Sequence, residues 1–190
     1  MQALRLLFTE RRATFRGQAV HFEEVECFPK PLQSPMPIYA GGNHPEVRRR
    51  AGQWAQGWMP AVLSPEEITR GIDDIHRAAV AAGRDGAAID IAPQFAVSIG
   101  RTHDEAVARF RSSQLFQHLE SLKKSTLREQ TGGFDQRNLI GSPAEISERV
   151  RTYQRAGVTT CSGMLFVANT VTEMREAIEL FGQEVLPNFR

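Results

Sequence analysis

The spacing of hydrophobic positions changes several times along the chain, and each change marks an element. Residues 2–12 place Leu4, Leu7 and Phe8 on one helical face. From Thr14 to Phe28 the period falls towards two. Val20, Phe22 and Val25 alternate and Gly17 supplies a turn, which predicts a small β-hairpin. Pro29, Pro31, Pro35 and Pro37 then punctuate an extended stretch. Beyond it one unit recurs, a short apolar run followed by an amphipathic helix. Strand 36–40 precedes helix 45–56, with Val47, Ala51, Trp54 and Ala55 on one face. Strand 58–62 precedes a helix opened by Ser64-Pro65-Glu66-Glu67, a capping box with proline at the first helical position. Ile68, Ile72, Ile75, Ala79 and Ala82 form its inner face, and Gly83 is its natural stop. Strand 91–99 precedes a second box, Thr102 to Glu105, whose helix turns Val107, Phe110 and Leu115 inward. Residues 112–138 are less regular: Leu115, Phe116, Leu119 and Leu122 allow more helix, and Gly132-Gly133 suggests a mobile loop. A third box, Ser142 to Glu145, opens a helix with Ile146, Val150 and Tyr153 buried and Gly157 at its end. Strand 159–167 follows. A fourth box, Thr170 to Glu173, opens the last helix with Met174, Ala177, Ile178 and Phe181 inward, closed by Pro187.

Alternating strands and helices with short connections predict an α/β fold, a parallel sheet covered by helices. Four βα units follow the opening helix and hairpin, in a single domain over residues 1–190. A complete (β/α)8 barrel needs about 250 residues. The pattern therefore predicts either a partial TIM barrel or a small four-stranded α/β sandwich.

Composition narrows the function classes. The formal net charge is +1, with acidic and basic residues interspersed, so no basic stripe points to nucleic acid. No apolar run approaches the ~20 residues of a membrane helix. Cys27 and Cys161 are far apart and lack metal spacing. They read as reduced thiols of a cytoplasmic protein, and no metal site is expected.

Candidate chemistry centres on Pro35 to Pro60, where a strand ends in Gly41-Gly42 and a helix begins near Pro45. Such a turn serves either as a phosphate cradle at a helix N-terminus or as a tight strand-to-helix connection. Pro45 lacks an N–H, so Gly42, Asn43, His44 and Glu46 are the candidate donors. Trp58 and Met59 sit where a strand reaches the active face of a barrel, and read equally as the wall of a flat ring pocket or as core. His44 is the histidine best placed for chemistry, with a structural or phosphate-adjacent role favoured over that of a base. His21, His76, His103 and His118 are expected to face solvent, as are Asp73 and Asp74 on a polar helix face. No residue pattern identifies a catalytic acid, base or nucleophile.

Three segments resemble the luciferase-like monooxygenase family of flavin- or deazaflavin-dependent TIM-barrel oxidoreductases. They are PKPLQSPMPIYAGGNHPEVRRRAGQWAQGWMP (29–60), IGSPAEISERVRTYQRAGVT (140–159) and the ending EVLPNFR (184–190). Gln56 departs from the pattern, where the family usually carries Asp. The resemblance implies strands 5 to 8 of a (β/α)8 barrel behind a small N-terminal hairpin, with the first four units absent. It implies reduced FMN or the deazaflavin coenzyme F-420 as cofactor, the G-G-N…G-W-M-P form lying closer to the deazaflavin branch. Gly41, Gly42, Asn43, His44, Trp58 and Met59 are the cofactor-contact positions it suggests, for monooxygenation or hydride transfer on a small-molecule substrate. Most of the family's proton-transfer residues would precede Met1. The expectations are therefore a homodimer, association with a missing N-terminal half, or a non-catalytic half-barrel acting as a binding module. The uncapped entry at Met1 also agrees with a start placed inside a longer reading frame.

Overall fold

The structure, a computed structural model, describes residues 1–124 and 133–189. The mobile loop expected at Gly132-Gly133 falls partly outside the described residues. The chain opens with α1 (Gln2–Thr9), which buries no residue, has no side-chain cap and ends three residues earlier than its pattern suggested. The antiparallel hairpin β1 (Ala13–Arg16) and β2 (His21–Val25) follows. Lys30 returns to the C-terminal end of α1, its Nζ donating to the Leu7 carbonyl at 2.7 Å and to the Glu10 carbonyl at 2.5 Å.

The remaining strands and helices alternate, with one strand, Leu139–Gly141, that the sequence pattern did not predict. They are β3 (Tyr39–Gly41), α2 (Pro45–Trp54), β4 (Gly57–Met59), α3 (Pro65–Ala81), β5 (Asp90–Ile91), β6 (Gln94–Ile99), α4 (His103–Arg111), α5 (Gln114–Leu122), β7 (Leu139–Gly141), α6 (Pro143–Arg155), β8 (Gly163–Phe166) and α7 (Val171–Glu184). All pairings among β3 to β8 are parallel. β5 and β6 are one strand interrupted at Pro93, which has no N–H to give to a ladder. One edge of this strand donates from Asp90, Ala92 and Gln94 to the carbonyls of Gln56, Trp58 and Pro60. Its other edge takes bonds from the N–H groups of Thr159, Ser162 and Val167. The order β3-β4-β5 is thereby joined to β6-β8, with the short β7 entering on the β4 side where Gly100 donates to the Gly141 carbonyl. Among the described residues β3 and β8 are the outer strands of the main layer, β7 pairs on one edge only, and the layer is open.

Local signals place most helix starts. Ser64, Ser142 and Thr170 each form a reciprocal capping box. Thr102 accepts from Glu105 N–H, but the Glu105 carboxylate turns to Arg101 N–H, so that box is one-sided. α2, α3, α6 and α7 cover one sheet face, sealing Trp58, Ile91, Phe95, Val97 and Leu139 beneath Ile68, Ile75, Ile146, Tyr153 and Phe181. α4 and α5 cover part of the opposite face, where Phe110 and Leu119 pack on Val62, Ala96 and Ile140. In α7 the sequence expectation is corrected. Ala177 and Phe181 are buried, but Met174 is 42% and Ile178 48% exposed. The helix overhangs β8, and those two side chains meet no further strand among the described residues.

Candidate functional site

A cavity of about 850 Å³ opens beyond the carboxyl ends of β3 and β4 and over the first half of β6. Its walls come from the turn after β3 (Gly42 to Val47), the segment after β4 (Ala61 to Leu63) and the α5 face carrying Leu115, His118, Leu119 and Leu122. Gln94, Ala96 and Leu165 form its floor. A mostly apolar concavity with a few polar groups, at the carboxyl end of parallel strands, is where α/β folds bind ligands.

The turn is held from several directions. Gly42 has φ +123°, a conformation glycine adopts without Cβ strain. Its N–H donates to the Met59 carbonyl at 3.1 Å, and its carbonyl accepts from Trp58 Nε1 at 2.8 Å. Asn43 clamps the turn to the neighbouring segment, its Nδ2 donating to the Ala61 carbonyl at 2.8 Å and its Oδ1 accepting from Ala61 N–H at 3.1 Å. His44 is the N-cap of α2, with Nδ1 accepting from Glu46 N–H at 3.2 Å. Arg48 reaches back to the Asn43 carbonyl at 2.5 Å and pairs with Asp74 at 2.8 Å.

This changes the donor set read from sequence. The N–H groups of Gly42 and Glu46 are already engaged, which leaves those of Asn43 and His44 without a partner among the described residues. Above Gly41 the space is open: a Cβ built there meets nothing nearer than the Met59 carbonyl at 3.9 Å. Met59 is half-buried and its sulfur lies 3.1 Å from Gln94 Nε2. Trp58 goes elsewhere. It is fully buried beneath α3 and supports the turn through Gly42 without lining the cavity. Strand alternation separates it from its neighbour Met59.

Sequence reasoning also missed residues. Asp74, read as solvated, anchors Arg48; His118 is exposed as expected and also lies at the rim of the cavity. Asn138 Oδ1 accepts from the Ala96 N–H at 2.9 Å, satisfying the strand between the two cores. The Arg48–Asp74 pair joins different helices, so no local spacing announces it. The α5 period was visible, but not which face would meet the sheet. Gln56, the departure from the family pattern, ties the start of β3, its Oε1 accepting from Ile38 N–H at 3.1 Å and its N–H donating to the Ile38 carbonyl.

At the other end of the strands lies a second polar group. Tyr39 Oη donates to Asp90 at 2.6 Å, and Thr159 and Thr160 donate to the other carboxylate oxygen. The bond to Asp90 raises the Tyr39 pKa, with burial adding to it. Burial pushes Asp90 upward, but the hydrogen bonds from Thr159, Tyr39 and Thr160 outweigh it and hold the carboxyl below its usual value. Placed at the amino ends of the strands, this cluster is on the stability side of a barrel-type fold. No group of three or more metal-ligating side chains occurs among the described residues. None of their helices is long and apolar enough to cross a membrane.

Fold and site together define a class, an α/β protein of TIM-barrel type with its cavity at the carboxyl ends of parallel strands. The sequence model of luciferase-like monooxygenases matches residues 1–160, and the chain belongs to that family. It is 30% identical over 216 residues to an FMNH2-dependent dimethylsulfone monooxygenase of Pseudomonas putida, covering 100% of this chain and 56% of the relative. The coenzyme F420-dependent tetrahydromethanopterin reductase of Methanopyrus kandleri superposes with TM-score 0.76 at 22% identity, over 100% of this chain and 61% of that structure. A monooxygenase of Streptomyces bottropensis superposes with TM-score 0.77 at 20% identity, over 100% of this chain and 59% of that structure. The chain spans a little over half the length of these relatives.

Proposed function

We propose that the chain is the cofactor-phosphate half of a luciferase-like oxidoreductase that uses reduced FMN or coenzyme F-420. The observation that carries this reading is the Gly41–His44 turn, with two unengaged N–H groups at Asn43 and His44 on the cavity lining and open space over the adjacent Gly41. A phosphate fits there. The N–H groups of Asn43 and His44 point from the start of α2, where the helix dipole also favours an anion. Gly41 permits close approach, Met59 offers an apolar contact, and Gly42 and Trp58 hold the turn in shape. The bound ring system supplies the redox chemistry, by dioxygen activation for a flavin or hydride transfer for a deazaflavin. The chain itself binds, orients and excludes water, and no catalytic residue is assigned to it. Its cytoplasmic placement remains an expectation from the two thiols.

The test is flavin and deazaflavin fluorescence titration of the 190-residue protein. Binding of one cofactor is expected, and Gly41→Val, which fills the open space without touching the fold, is expected to weaken it at least tenfold. Lack of binding by either cofactor would overturn the proposal.

A second element of the reading concerns completeness. We propose that the parallel layer corresponds to strands 5 to 8 of the family barrel and is closed by another four-unit half, from a second copy or an N-terminal half. Apolar side chains exposed beside both outer strands support this: Tyr39 and Trp54 near β3, Met164 and Leu165 near β8. Open strand edges favour such pairing. Sedimentation of the 190-residue protein is expected to give a dimer. A monodisperse monomer would rule out closure by a second copy and favour a non-catalytic binding module or closure by another chain.

A further inference from the structure

The cavity holds more than the turn requires. Its α5 wall contributes Leu115, Leu119 and Leu122, which with Val62 and Leu63 make an apolar part of the cavity lining separate from the turn. Its charged groups are unequally engaged. Glu67, the acidic side chain of the lining, is committed to an ion pair with Arg137 and to the Ser64 N–H at 2.8 Å. Arg48 is committed to Asp74 and to the Asn43 carbonyl. Arg70 on α3 is different. It is exposed at the mouth and makes no hydrogen bond or ion pair among the described residues, though its charge lies close enough to act on Glu66. His118, facing the same cavity from α5, likewise has no side-chain partner among them. An uncommitted guanidinium and an uncommitted imidazole thus flank an apolar slot whose one carboxylate is already neutralised.

We infer that the slot takes an organic anion with an apolar body. Its acidic group is held between Arg70 and His118, and its body lies along Leu115, Leu119 and Leu122. A carboxylate, sulfonate or phosphate monoester suits the pair, because guanidinium presents a planar fork of donors to such oxygens and imidazole adds one more. The uncharged analogue would leave the guanidinium without its counter-charge. This deepens the cofactor reading and rests on it for one point, that the anion belongs to the substrate and not to the cofactor's own phosphate.

Calorimetric titration of the 190-residue protein with octyl phosphate, octanoate and 1-octanol tests it. Both anions are expected to bind at least tenfold more tightly than the alcohol. Arg70→Gln is expected to weaken the anions tenfold or more and His118→Gln three- to tenfold, while Arg175→Gln, on the distant α7, leaves binding unchanged. Equal binding of anion and alcohol, unchanged binding by Arg70→Gln, or no binding of either anion overturns the inference. A further arm titrates FMN and F-420 into the Arg70→Gln protein. If it loses cofactor and octyl phosphate alike, the pair is the cofactor's phosphate seat and the substrate assignment falls. If neither cofactor binds the wild-type protein while octyl phosphate binding still depends on Arg70, the anion slot stands and the cofactor reading is the one that fails.

Discussion

The two faces of the strand layer are built for opposite purposes from the same residues. On one face Trp58, Ile91, Phe95 and Val97 are sealed under α2, α3, α6 and α7. On the other, Gly41, Met59, Gln94 and Leu165 are left partly or fully open, Leu165 at 54% exposure, and α4 and α5 roof only part of it. Neighbouring positions in one strand therefore carry different burdens. Trp58 is sealed in the core, and Met59 is half-buried on the open side. The glycines repeat the contrast. A Cβ on Gly71 would lie 2.4 Å from the Trp58 ring, whereas one on Gly41 would meet only the Met59 carbonyl, at 3.9 Å. Close packing leaves no room on the covered face, and the open face is where shape can still be spent on binding.

That contrast can be broken most severely on the covered face. Gly71→Val drives a branched side chain into the buried Trp58 ring, and overpacking of this kind is expected to cost about 3 kcal/mol. At about 2–4 °C per kcal/mol for a chain of this size, thermal unfolding should fall by roughly 6–12 °C. A smaller change would show that Trp58 can move and that the two faces are less distinct than their packing indicates.

Asn43→Ala acts at the boundary between the faces. It removes both bonds to Ala61 and should cost about 2 kcal/mol, at roughly 1 kcal/mol per bond. It should also loosen the turn, so calorimetry is expected to show lower stability and weaker cofactor binding together. Lower stability with unchanged binding would detach the turn from the site.

The smallest effect sharpens the comparison at the exposed rim. Hydrogen bonding from Arg49, opposed by desolvation and aided by Arg50, lowers the Glu46 pKa from 4.5 to about 2. A carboxyl lowered in the folded state stabilises above its unfolded value and loses that contribution as pH falls through its folded value. Glu46→Gln should therefore be slightly less stable than wild type at neutral pH, and the two should converge between about pH 4.5 and pH 2. Because Glu46 and its arginine partners lie at the surface, the gap should shrink in salt. Chemical denaturation at several pH values measures it, and a pH-independent gap would exclude the charge as its cause.

Legibility in the sequence followed the range of the interaction. The capping boxes at Ser64, Ser142 and Thr170 were readable because each closes within four residues. So was the strand–helix rhythm, and so was the Gly41–His44 turn before its family resemblance entered. What the sequence left open was the side on which a residue points once two elements meet. Trp58 and Met59 were grouped, and strand alternation put them on opposite faces. Met174 and Ile178 shared a helical face with Ala177 and Phe181, but the sheet ends at β8 and leaves them exposed.

The chain by itself determined most of its elements (though not the short strand β7), their alternating α/β order and the place of the glycine turn, because hydrophobic period, caps and glycine act through neighbouring residues. Tertiary structure alone decided which donors in that turn remain free, that Asp74 holds Arg48, and that His118 joins Arg70 around one cavity. These depend on segments 17 to 48 residues apart, brought together by the burial of a shared core, and no local pattern encodes such a distance.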